Sequence, residues 1–226
     1  MQLITMHLYS PEIATRYVRA LRGEVAPEWS WWDDELKDLV RQPLSELSAN
    51  RVSSGLALAM ADELPIFHYE GLGLTPWEAM IDRGLGMLMR PPARVFVDND
   101  VHPLFVHSMP IRLDLQGGIM AGAWIPPHLI AKFDELIDIR LELWAKRIHE
   151  SESDPYPLLA TMRMVADAAK SAGLGIIEAI NVIQPGTAVI ETPNRKKMDQ
   201  QLRARIDAAL EDEKTGLFNK LFRKGS

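Results

Sequence analysis

The chain has 226 residues, 47% hydrophobic and 25% charged, a balance that supplies a sizeable core and excludes wholesale disorder. Its formal net charge of -6 disfavours a general nucleic-acid binder, whose affinity rests on a concentrated basic surface. The absence of cysteine excludes disulfides, thiolate zinc sites, iron–sulfur clusters and cysteine nucleophiles together, and makes a cytoplasmic location the expectation.

Residues 1–7 carry neither a basic n-region nor an unbroken apolar h-region, so no secretion signal is expected. A short apolar start leads to Ser10-Pro11-Glu12, where a capping serine, a proline at the first helical position and an acid in the first turn predict a helix to about Arg22. Gly23 offers it a left-handed exit. Ser30 predicts a second helix carrying Leu36, Leu39 and Val40 until Pro43, just after the aromatic group Trp29, Trp31 and Trp32. That group is read as core packing ahead of a binding surface. A third helix is predicted over residues 45–63, and Thr75-Pro76-Trp77-Glu78 forms a capping box for a fourth, which Arg90-Pro91-Pro92 ends.

Between residues 93 and 125 the pattern turns β-like. Residues 94–97, 104–107, 111–115 and 119–125 read as four strands joined by Asp98-Asn99-Asp100, Met109-Pro110 and Gln116-Gly117-Gly118, which predicts a small antiparallel meander. Residues 115–131 are uncharged, but Gly117-Gly118 and Pro126-Pro127 break them, so they do not read as a membrane span. Pro126-Pro127 opens a long helix with a broad apolar face, another follows over 158–172 with Gly173 as its stop, and a short strand is predicted at 188–191.

No motif specifies a reaction, and no cofactor is expected. Asp98, Asp100 and His102, with His107 beyond them, are the one cluster able to converge on a divalent metal or to pair as acid and base. The simpler reading, and the preferred one, is that Asp-Asn-Asp is turn chemistry. A calcium loop starting at Asp98 fails, because Pro103 and Met109 stand where a glycine and a bidentate glutamate are required. His68 with Glu70 lacks the cysteine ligands of a zinc deaminase, and His149-Glu150 lacks the second histidine of a zincin helix. Gly71-Leu72-Gly73 precedes a helix, but proline stands at the third glycine of the dinucleotide fingerprint and no P-loop lysine follows.

The most informative stretch is the last. Met198, Leu202, Ile206 and Leu210 recur at about one helical turn among charged neighbours, a narrow stripe that suits a helix pair or a helix lying on its own domain. After Gly216 comes a compact apolar group, Leu217, Phe218, Leu221 and Phe222, among the cations Lys220, Arg223 and Lys224. Burying those four side chains yields roughly 6–12 kcal/mol, and ordering the segment costs about 10 kcal/mol, so an outside surface decides its order. Peripheral membrane contact is less favoured than protein contact, because the apolar face is short and Glu211, Asp212 and Glu213 precede it.

The chain is therefore expected to be α+β, with helices packed around a small antiparallel meander in a core domain over residues 1–192 and a C-terminal helical extension over 193–226. The expected function is that of a non-enzymatic assembly or adaptor subunit. It would meet a protein partner, or itself, through Met198, Leu202, Ile206, Leu210, Leu217, Phe218, Leu221 and Phe222. The alternative is a metal-dependent hydrolase or other small-molecule enzyme using Asp98, Asp100 and His102.

Overall fold

The computed structural model describes residues 4–69, 82–109, 120–183, 189–191 and 198–223, excepting the side chains of Tyr69, Met120, Ala121, Glu191 and residues 212–223. The fold is α+β. Five described strands, β1 (Ile4–Tyr9), β2 (Ile66–Tyr69), β3 (Met120–Ile125), β4 (Gly175–Ile180) and β5 (Val189–Glu191), form a mixed open sheet in the order β3-β4-β1-β2-β5. Only β2 and β5 pair in parallel.

Most of the predicted helices form from the signals that announce them. Ser10 accepts from the Ile13 amide and opens α1 (Pro11–Leu21), after which Gly23 takes a positive φ of 73°. Ser45 likewise caps α3 (Glu46–Glu63). Pro126-Pro127 leads through a single 3-10 turn into α7 (Ile130–Glu150), and α8 (Pro155–Ala172) ends on Gly173 in the left-handed conformation. The last helix, α9 (Gln200–Arg223), continues unbroken through Gly216.

Three local expectations are corrected. The second helix does not start at Ser30: α2 is only Glu35–Leu39, and Asp33 accepts from the Glu35 amide at its start, because residues 29–32 are taken up in packing around Tyr17. Residues 94–97 and 104–107 are not strands. Residues 94–97 lie in the short helix α5 (Ala93–Asp98) and 104–106 in α6 (Pro103–Val106), which His107 ends; both follow α4 (Arg83–Leu88). An Arg94–Asp98 ion pair four residues apart and Pro103 at a helix start favour that state, and Val95, Phe96 and Val106 are buried from it. The sheet is thus no meander, since helices separate β1 from β2 and β3 from β4 in the chain. The capping box at Thr75 and the expected strand at 111–115 lie outside the described residues.

Two helical layers cover the sheet. Ile4, Met6, Leu8, Phe67, Ile125 and Ile176 face α7 and α8, whereas Tyr9, Ile66, Trp124, Ile177 and Ala179 face α1 and α3. Every residue of β1 and β4 is consequently buried. Polar groups in these strands must find partners inside. The Thr5 hydroxyl donates to the Ala179 carbonyl, 3.2 Å away, so its oxygen accepts from Nε2 of His7 at 2.9 Å. This chain of donors requires a proton on Nε2 of His7. Its Nδ1 has no partner among the described residues.

Burial depresses the His7 pKa from 6.5 to about 3. The unfolded chain takes up this proton below pH 6.5 and the folded chain does not until about pH 3, so stability falls as pH drops through that window. Urea unfolding should show a loss of about 1.4 kcal/mol per pH unit from this group between pH 6 and pH 4. The His7→Gln chain should lack that part of the slope, and equal slopes in the two chains would refute the assignment.

Candidate functional site

The C-terminal stripe divides in two. Met198, Leu202 and Ile206 are buried in the cluster formed with α7 and α8, and Leu210 is half-buried against it. These four residues therefore pack on their own chain. The helix is also latched by charge: Arg205 donates from Nε to Glu142 (2.7 Å) and from its terminal nitrogen to the Asp138 carbonyl (2.6 Å). This guanidinium holds the Glu142 carboxyl below its ordinary pKa, and the Tyr156 hydroxyl donates to Asp207.

The latches fix the direction of α9. Arg205 lies beside Asp138 and Glu142, whereas Leu210 and Glu211 lie beside His149 and the 152–156 turn, so α9 runs parallel to α7 and reaches its end near Glu211. Twelve more helical residues follow to Arg223, about 18 Å at 1.5 Å per residue. Leu217, Phe218, Leu221 and Phe222 belong to that continuation, and their side chains lie outside the described set.

A cleft of about 710 Å³ opens between the α7–α8 turn and α9, lined by His149, Glu152, Asp154, Tyr156, Asp207 and Glu211. Its acids are not gathered as metal ligands, because no group of three or more such side chains among the described residues is placed to hold an ion. The same holds for Asp98, Asp100, His102 and His107. Asp98 pairs with Arg94 at 2.8 Å, Asp100 takes a positive φ of 62° in the turn, His102 caps α6 through Nδ1, and His107 contacts the Leu104 carbonyl and Ser108. Asp98, His102 and His107 are each engaged locally. His68 lies in β2 opposite Thr5, and Glu70, Gly71 and Gly73 lie outside the described residues.

Sequence reasoning missed a second cavity. Tyr17 is fully buried, with Trp29, Trp31, Trp32 and Phe96 within 5.8–6.4 Å of its ring centre, and its hydroxyl donates to the Val52 carbonyl of α3. This packing sets Trp31 at the edge of an apolar cavity of about 310 Å³ between α2 and α3, whose walls include Leu36, Leu47, Asn50, Arg51 and Leu58. Arg51 spans its mouth to Asp33 and Glu35. Trp31 Nε1 and Asn50 Oδ1, one donor and one acceptor, are buried without a partner among the described residues. Comparison of the chain with family models, curated proteins and solved structures finds no match in any of the three.

Two substitutions check these placements. Truncating Ile206, which is fully buried, should lower unfolding free energy by about 2–4 kcal/mol in Ile206→Ala. A change under 0.5 kcal/mol, on the order of a neutral surface substitution, would mean that α9 is not docked. At Gly55, an added Cβ would press into the Tyr17 hydroxyl and lie 2.9 Å from ring Cζ, so Gly55→Ala should cost about 1–3 kcal/mol. Adding Tyr17→Phe should recover part of that loss, whereas strict additivity of the two changes would refute the contact.

Proposed function

We propose that this protein is a non-enzymatic assembly subunit that associates with itself through the C-terminal half of α9. The observation that carries the reading is the helix running on past the end of α7 while its first half is anchored to the body. Helical phase adds to it. At roughly 100° per residue, Leu217, Phe218, Leu221 and Phe222 form a face turned about 100° from the one occupied by Leu202, Ile206, Ala209 and Leu210. The terminal apolar group therefore does not continue the core-facing stripe, and it adjoins a run in which Lys214, Lys220, Arg223 and Lys224 are the only charges. No specific observation favours the hydrolase alternative, since Asp98 and His102 are used in local pairing and capping.

Light scattering of the full chain over a concentration series tests the proposal. The chain carrying both Phe218→Glu and Phe222→Glu should associate about 100-fold or more weakly, as expected for losing two aromatic anchors, with its thermal unfolding midpoint unchanged. A full chain that stays monomeric, or a double variant that associates as tightly as the parent, would overturn it. Capture by anionic vesicles in place of self-association would move the function to a membrane surface.

A further inference from the structure

Resting on that reading, we infer that the surface receiving the C-terminal segment is the α2–α3 cavity of a second copy. The cavity combines apolar walls with a charged rim. Leu47, Arg51, Ser54 and Leu58 recur along one face of α3, opposite Leu36 and Trp31, and Leu47 is 75% exposed at the rim, a large apolar side chain left to solvent. The unpartnered Trp31 Nε1 and Asn50 Oδ1 are closed off behind this lining, so the occupant its walls call for is an apolar one.

The end of α9 carries the apolar pairs Leu217-Phe218 and Leu221-Phe222. Charge agrees in sign. The α2 side of the cavity bears Asp33, Asp34, Glu35 and Asp38, of which the last three are 83%, 75% and 74% exposed, whereas residues 214–226 hold four cations and no acid. Lys37, Arg41 and Arg51 pair with all four of these acids, which leaves one net negative charge and narrows the attraction without reversing it.

Placement favours a second molecule over the chain's own end. The cavity lies with α1 and α3 on one face of the sheet, and the docked part of α9, to Leu210, lies with α7 and α8 on the other. Reciprocal insertion, each end into the other's cavity, closes as a two-fold dimer.

The test uses full-length chains and separates this inference from the one it rests on. Leu47→Arg places a cation at the rim of the cavity, at a position exposed enough for the fold to tolerate it, and Leu58→Arg is a second variant of the same face. By light scattering, either cavity variant should be monomeric, as should the chain with Phe218→Glu and Phe222→Glu. An equimolar mixture of a cavity variant with the end variant should regain a dimer, because it joins one intact cavity to one intact end. A synthetic peptide of residues 212–226 added to the end variant should change tryptophan emission saturably, and should fail to do so when Leu47→Arg is also present. Cavity variants that dimerise like the parent would overturn the cavity assignment while leaving the self-association reading in place. A mixture that remains monomeric would overturn it as well. Association that survives the end substitutions would overturn the proposed function itself.

Discussion

Pairing of β1 with β4, six residues in register from Ile4 opposite Ile180 to Tyr9 opposite Gly175, joins segments far apart in sequence and sets the geometry of everything else. Both strands are buried along their whole length, so their outward faces must be covered by separate helical layers. Closure at the strand end depends on Gly175. A Cβ there would collide with the Ile125 carbonyl oxygen of β3, so the third strand reaches its neighbour only past a glycine. The opposite end of the contact is polar. Thr5 bridges β1 to β4 through Ala179, and Glu178 accepts from the Ala123 amide where β3 departs from regular register, which satisfies a donor that the bulge leaves over.

Sandwiching the sheet also explains α9. The face beside α7 and α8 is already a helix pair, fastened by Asp134 to Arg163 and Lys170 and by Arg163 to Asp138. A third helix can dock only in the groove that this pair presents, and α9 does so over Met198 to Leu210, with Arg205 joining the same charge network at Asp138. Helix propagation, once nucleated on a docked half, adds one hydrogen bond per residue, and the helix runs on to Arg223.

How much of this was legible follows from the physics of each signal. Capping is local chemistry, and Ser10, Pro126-Pro127 and Gly173 marked their helices correctly from neighbouring residues alone, whereas Ser30 did not. Strands β1 and β4 carried no alternation to read, because burial on both sides removes the polar half of the pattern. The short apolar runs at 94–97 and 104–107 fit either state by composition, and the helical outcome was decided by Phe96 and Val106 packing into the Tyr17 layer. Of the candidate site, the apolar residues of the last helix were visible as a period, but not which half would dock. The cavity beside Trp31 was invisible, since Trp31, Leu36, Asn50 and Leu58 meet only after α2 and α3 fold against Tyr17.

The two candidate surfaces gain meaning from being on opposite sides of one sheet. In the proposed assembly the cavity lies on one face of the sheet and the docked part of α9 on the other, and the segment matches the cavity in apolar character and in sign of charge. Electrostatic steering by exposed acids and lysines contributes to encounter and is screened within about 8 Å at physiological salt, whereas burial of the phenylalanine rings is not. The proposed contact should therefore depend on salt mainly in its rate of formation, with its lifetime set by the apolar residues.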